Sequence, residues 1–381
     1  MRSRGLTGLF VLAIIALLAI PSFSLYYTDW LWFVEVGYAR VFLRSMNAQG
    51  LVFLGTFAIA FAFLSLNLRI AQIGIGVPRL VFGKTDDGRP VAIERAGLAR
   101  IATIVSLVFA GMLALSAAAD WMSWAMFFRA VPFGTQDPLL GHDVSFYVFR
   151  LPVFDAIRQS AFAMTLVSLA GAGGIYLLTS TVTAAPRYGI AFWPQVRLSQ
   201  RARTHLSWLV AIAFALMAWG AWLDLAHHLL APAPNDAAVV FGVSYNDAHA
   251  DMPILRVKMV LLAAGALLAI WQGLSTPRWP IPATVAVLLV LNVGGELYSG
   301  FIQQFVVTPN EQDKEQPYIV NNIHATRKAY GLDVVDEKEL TGDNTLEPKD
   351  IVANAETIAN VRLWDHQPLL QTFAQIQEIR T

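Results

Sequence analysis

Ile281-Pro282-Ala283-Thr284-Val285-Ala286-Val287-Leu288-Leu289-Val290-Leu291-Asn292-Val293-Gly294-Gly295-Glu296-Leu297-Tyr298-Ser299-Gly300-Phe301 decides the fold. As a helix, about 20 mostly apolar residues cross a hydrocarbon core. This run has that length, and it is the last of its kind. Upstream the chain reads as membrane, and downstream it turns polar. Asn292 and Glu296 sit inside the run, and with Ser299 and Gln303 they fall at offsets 0, 4, 7 and 11. On a regular helix those positions form one stripe. A carboxylate in an apolar segment is costly and is expected to face the bundle or a water-filled cavity.

Composition agrees with a bilayer as solvent. The chain is 56% hydrophobic and 14% charged, with a mean hydropathy of +0.52, whereas a soluble domain carries about 25% charged residues. The formal net charge of zero argues against a nucleic-acid partner. The absence of cysteine excludes disulfides, thiolate metal sites and cysteine nucleophiles. Eleven Trp and ten Tyr suit a protein with two water–lipid boundaries.

Seven segments are long and apolar enough to span: Leu6–Tyr26, Gln49–Ile70, Ile101–Ala119, Ala161–Val182, Leu206–Leu223, Ile254–Leu274 and Ile281–Phe301. The first follows Arg2 and Arg4 and ends near Ser22-Phe23-Ser24, so a cleaved signal peptide competes with an anchor. Continuation to Tyr27 and an aromatic cluster favours the anchor, and either reading gives the same orientation. One set of loops holds thirteen Lys and Arg, among them Arg69, Arg95, Arg187 and Arg278, and the other holds five. Arg256 and Lys258, just inside the sixth span, blur the pattern. Basic residues favour the cytoplasm, so the amino terminus is expected there and the carboxyl tail outside.

The expected fold is all-α: a polytopic bundle of about seven transmembrane helices over residues 1–303. An extracytoplasmic tail, helical or partly irregular, covers 304–381. Asp29 to Arg44, rich in Trp, Phe and Tyr, predicts an interfacial helix. Gly83 to Pro90 predicts a polar turn or hairpin. Asp137 to Pro152 predicts a Pro/Gly turn followed by an alternating aromatic strand or interfacial segment. In the next outer loop, Asp224 and His228 share a helix face, and on a strand Asp247, His249 and Asp251 would point one way. These are the right ligand types for a divalent ion, set against a plain solvated loop. The tail has 13 acidic and 7 basic residues. It predicts a linker over Pro309–Glu315, a helix stopped by Gly331 and a last amphipathic helix after Pro368.

Several stretches together resemble the UPF0182 family of bacterial membrane proteins. They are Asp29-Trp30-Leu31-Trp32-Phe33 to Gly37-Tyr38, and Asp143 through Ser145-Phe146-Tyr147 to Leu151-Pro152. Tyr245 with Asp247, Tyr318-Ile319 to Thr326-Arg327, Ala329-Tyr330 and Arg362-Leu363-Trp364-Asp365 complete the set. The resemblance implies about seven N-terminal spans and a large extracytoplasmic region. It implies longer chains than this one, which ends at Gln377-Glu378-Ile379-Arg380-Thr381, and it brings no catalytic residues.

The residues carry no enzyme constellation: there is no GxSxG, and Gly74-Ile75-Gly76 lacks the Lys-Ser/Thr of a phosphate loop. No cofactor is expected. The leading expectation is a membrane scaffold that presents an extracytoplasmic domain for envelope assembly, binding an envelope protein or a second copy. The alternative is transport of a small solute or ion along the stripe of the seventh span, with Gly171-Ala172-Gly173-Gly174 as a close-packing patch. No internal repeat is evident, which weighs against transport.

Overall fold

The computed structural model describes residues 20–21, 23–73, 79–84, 90–179, 199–232, 241–275, 277–339, 342, 346–362 and 365–377. The protein is a polytopic membrane helix bundle. Six helical stretches among the described residues are long and apolar enough to cross a membrane. The predicted first span, Leu6–Tyr26, lies largely outside the described residues.

Residues 23–35 are helical, and the chain then turns at Gly37 (φ 78°). Helix α1 follows at once, Ala39–Ile73, so the predicted interfacial segment is divided between two helices. A two-stranded antiparallel hairpin comes next, β1 (Arg79–Lys84) with β2 (Pro90–Glu94), in the register Arg79↔Glu94. It occupies the place where a polar hairpin was expected. Helices α2 (Arg95–Ala119) and the short α3 (Trp121–Phe128) lead into a loop. Beyond it come α4 (Leu151–Thr179), α5 (Gln200–His228), α6 (Met252–Leu274) and α7 (Pro280–Phe301).

Helix α4 starts ten residues before its predicted span because hydropathy discards charges that neighbouring helices accept. Asp155 meets His227 at 2.7 Å. The Arg158 guanidinium lies against Gly220, where a Cβ would come within 3.0 Å of it. A side chain at 220 would remove that space.

Helix α5 is the centre of the bundle. Half of its most apolar window is buried, against 11% for the helix that begins at Pro280. Leu209 joins α5 to Leu68 of α1, Ala102 of α2 and Tyr176 of α4. Phe214 joins it to Leu262 and Ala266 of α6 and Leu288 of α7. Lipid tails are as apolar as leucine, so helices in a bilayer associate through close packing of small residues. The fully buried Ala60, Ser106, Ala110, Ala114 and Ala172 serve that role.

The chain forms two compact units, Met1–Ile323 and His324–Thr381. In the first, α7 passes into a π-helical turn (Ile302–Val307), a single 3₁₀ turn (Thr308–Asn310) and α8 (Glu311–Ala329). The linker expected over Pro309–Glu315 is therefore helical. Pro309 sits at a turn start, where its missing N–H costs nothing. Gly331 (φ 65°) follows α8 in the left-handed region that stops a helix. The second unit contains α9 (Pro348–Ala353), α10 (Ala355–Asn360) and α11 (His366–Gln377). None of these three helices has a buried residue.

Candidate functional site

One local design occurs twice, at the loops before α4 and α6. Gly141 (φ 73°) and Gly242 (φ 125°) each precede a proline, Pro152 and Pro253, by eleven residues. Between them lie the π-turns Phe146–Arg150 and Asp247–Asp251. An isolated antiparallel bridge accompanies each loop, Gln136↔Asp143 and Pro232↔Phe241. The prolines explain the π-turns. Proline has no N–H and its ring crowds the carbonyl four residues back. The residue before each proline bonds one position further back: Leu151 N–H donates to Phe146 O, and Met252 N–H to Asp247 O. The turn widens and the crowded carbonyl is bypassed. Such π-bulges often mark functional positions. The segment expected after Asp143 as an aromatic strand or interfacial stretch begins as the first of these turns, and the repeated design is invisible to a search for similar residues.

The second π-turn organises a polar cluster at this end of the bundle. Asp247 takes hydrogen bonds from the Ser244 hydroxyl at 2.7 Å and the Ser244 N–H at 2.9 Å. Its other oxygen lies 3.0 Å from His228 Nδ1. His249 turns the other way, stacking on the Tyr245 ring at 4.0 Å with Nδ1 3.0 Å from the Tyr245 carbonyl. Asp251 lies 3.5 Å from Asn246 Nδ2. The candidate metal ligands Asp247, His249 and Asp251 are thus each engaged with a different partner. Their expected common direction required a strand, and in a π-turn they diverge to separate partners. Among the described residues no group of three metal-capable side chains assembles.

Helix α8 closes over this loop. Both oxygens of Glu315 accept the Tyr245 N–H, at 3.1 and 3.0 Å, across seventy residues of sequence. Lys314 Nζ lies 5.2 Å from the Tyr245 ring centroid, in cation–π range. Tyr318 Oη lies 3.5 Å from His249 Nδ1. Gly242 faces Asn322, whose Oδ1 stands 3.3 Å from where a Cβ would be.

The predicted stripe on α7 is placed in parts. Ser299 accepts a 2.8 Å hydrogen bond from Asn246 Nδ2. Asn292 and Glu296 are exposed and line a groove of about 380 Å³ with His228, Asp251, Lys258 and Ser299. Gln303 leaves the stripe because it lies in the third π-turn, where the regular offset fails.

A family model described as "Uncharacterised protein family (UPF0182)" matches residues 6–381. The chain belongs to the UPF0182 family. Relatives include UPF0182 proteins of Cupriavidus necator (36% identical, over 97% of this chain and 40% of the relative), of Trichodesmium erythraeum (32%, 93% and 37%) and of Bradyrhizobium diazoefficiens (33%, 100% and 41%). The chain spans about two fifths of the length of these curated relatives. No solved structure matches it. Several of the stretches that carry the UPF0182 resemblance build this one end of the bundle: Asp143, Tyr147, Leu151-Pro152, Tyr245, Asp247, Tyr318 and Asn322 all take part in the contacts above or below.

Two polar features escaped the sequence reading. In the bundle, Tyr176 Oη meets His205 Nδ1 at 3.0 Å, and His205 Nε2 meets Asn67 Oδ1 at 3.0 Å, across three helices. No local signal links them. In the first loop, Asp137 accepts the N–H groups of Leu139 (3.0 Å), Leu140 (2.6 Å) and His142 (2.7 Å) and the Tyr147 hydroxyl (2.8 Å). Asp143 accepts the N–H groups of Phe133, Gly134 and Ser145. Here the Asp-Pro and Gly of a side-chain-bonded turn were a legible signal.

Both carboxyls titrate below their ordinary value. Burial pushes Asp137 up, but its bonds from Leu140, Tyr147, Leu139 and His142 outweigh burial and hold it down. For Asp143, the Ser145 side chain leads the lowering, helped by N–H groups of Phe133, Ser145 and Gly134. A depressed folded value means that the stabilisation is complete above the unfolded carboxyl's pKa of about 3.9 and fades as pH falls below it. Amide exchange, corrected for the intrinsic rate, is expected to show protection of Phe133–Ser145 held from about pH 7 to 5, measurably reduced by about pH 3, and lost only as pH falls further through the lowered folded values. Protection that is flat down to pH 3 would remove the carboxylates from this role.

Proposed function

We propose that this chain is the membrane anchor and stalk of a scaffold that presents residues beyond the bundle to an envelope protein or a second copy. The observation that carries the reading is the clamp on α8. Fourteen residues past the end of α7, Glu315 receives the Tyr245 N–H with both oxygens. The clamp fixes the direction in which a helix leaves the bundle, which matters to a protein that positions something and is unnecessary to a solute pathway. The loop charge asymmetry supports a cytoplasmic amino terminus and an extracytoplasmic tail in a bacterial cell membrane. The exposed Leu370, Phe373 and Ile376 on α11 offer apolar contact to a partner. Conduction draws less support, because Asn292 and Glu296 are exposed on α7 rather than enclosed among helices. No catalytic role forms part of the reading.

Deleting residues 324–381 tests it. Crosslinked envelope proteins recovered with the tagged chain are expected to fall about tenfold, the equivalent of about 1.4 kcal/mol of binding. Protease protection of the bundle in the membrane should not change. Recovery of the same proteins in the same amounts would refute the scaffold.

A further inference from the structure

The groove between α6 and α7 holds charges of both signs that remain unneutralised. Lys258 and Glu296 line it together, yet among the described residues neither makes an ion pair or hydrogen bond. Asp251, Asn292, Ser299 and His228, the last held by Asp247, complete its polar wall. Asn246, only 8% exposed, spends its Nδ2 on Ser299 while its buried Oδ1 has no partner. Lone charges of this kind on spanning helices are costly and rare. Lys258 lies six residues after Met252, the start of α6, and Glu296 five residues before Phe301, the end of α7. At 1.5 Å per residue they sit about 9 and 8 Å inside the helix ends, a depth from which long charged side chains reach the headgroup level. Val257, Val260, Val293 and Leu297 on the same two helices are exposed, giving apolar surface beside the polar wall.

We propose that this groove binds the headgroup of a zwitterionic phospholipid bearing a primary amine. Lys258 takes the phosphate as a point charge. Glu296 and Asp251 take the ammonium, whose three N–H groups also suit the acceptors on Asn292 and Ser299. The acyl chains lie along the exposed valines and Leu297. A phosphatidylglycerol would leave both carboxylates uncompensated. A choline headgroup has the right charge but no N–H to donate.

Native mass spectrometry of the purified full chain, mixed with phosphatidylethanolamine, phosphatidylcholine or phosphatidylglycerol, tests the assignment. The ethanolamine lipid is expected to be retained about fivefold or more over the choline lipid, as charge-assisted hydrogen bonds at a half-wet site imply. Glu296→Gln should erase that difference. Lys258→Gln should weaken both lipids, and Lys258→Arg should restore them. Equal retention of the ethanolamine and choline lipids by the wild-type chain overturns the proposal whether or not the variants fold. So does a preference that survives Glu296→Gln. Displacement of the lipid by an equal concentration of glycerophosphoethanolamine would assign the groove to a free phosphodiester and overturn the lipid reading.

Discussion

Gly265→Ala is expected to destabilise the bundle by about 1–3 kcal/mol, the usual result of overpacking a close contact, and Gly265→Leu to separate α7 from α6. A Cβ on Gly265 would stand 2.4 Å from Thr284 Cγ2 and 3.4 Å from Phe214 Cδ2. The neighbour cannot give way cheaply. Thr284 is 3% exposed, β-branched, and held by a 2.9 Å hydrogen bond from its hydroxyl to the Pro280 carbonyl. The helices themselves must part. Gly294 on α7 is the internal control, since a Cβ there meets nothing within 4 Å. Gly294→Ala should change stability by less than about 0.5 kcal/mol. Thermal unfolding followed by size exclusion in detergent separates the two. Adding Thr284→Ala to Gly265→Ala should recover most of the loss, because the two methyl groups are the ones in conflict. Equal effects of Gly265→Ala and Gly294→Ala would show that close packing at this crossing is not what holds α7.

The same crossing sets the spacing of the groove. Gly295, one residue before Glu296, packs on Ile254 with 3.1 Å between a would-be Cβ and Ile254 Cγ2. Two glycine contacts, Gly265 toward one end and Gly295 toward the other, therefore hold α6 and α7 close along their length. Lys258 lies between Ile254 and Gly265 in sequence. Parting the helices at Gly265 should thus disturb the groove as well as the fold.

The spans were legible because hydropathy is a local property: Ile254–Leu274 and Ile281–Phe301 differ from α6 and α7 by two residues or fewer at either end. Ala161 was too late a start for α4 because Asp155 and Arg158 are charges that only a neighbour, α5, makes tolerable. Composition showed where the loop hairpin and the Gly331 stop would fall, since glycine and proline act on their own backbone. The π-turns were not legible. Val144-Ser145-Phe146-Tyr147 carries aromatic residues that favour a strand, and only Pro152, set within a continuous helix, forces the wider turn. The candidate site was half legible. Asp247, Asp251 and Glu296 stood out as polar groups near apolar runs, but the contacts that build the site join different elements: His228 of α5 to Asp247, Ser299 of α7 to Asn246, and Glu315 of α8 to Tyr245. Nothing near residue 315 announces that its carboxylate reaches Tyr245.

That contact yields the largest expected functional effect. Glu315→Ala should release α8 from the loop and broaden its range of positions relative to α5. The carboxylate is the acceptor for the Tyr245 N–H, and a hydrogen bond to a charged group contributes about 1.5–3 kcal/mol. Glu315 is only half buried, so about 1–2 kcal/mol is the working figure after solvent screening. That is a five- to thirtyfold change in the ratio of clamped to free states. Two flanking contacts, Lys314 over Tyr245 and Tyr318 near His249, remain and keep the helix from leaving altogether. The chain contains no cysteine, so a Leu230→Cys, Val320→Cys pair can be spin-labelled without background. Both positions are exposed. The distance distribution should be narrow in the parent chain, broad in Glu315→Ala, and intermediate in Glu315→Gln, which keeps a neutral acceptor. If envelope capture also falls in Glu315→Ala while the bundle's melting point does not, direction of the stalk is what the partner reads. An unchanged distribution would mean that the loop does not hold α8, and the scaffold reading would lose the observation on which it rests.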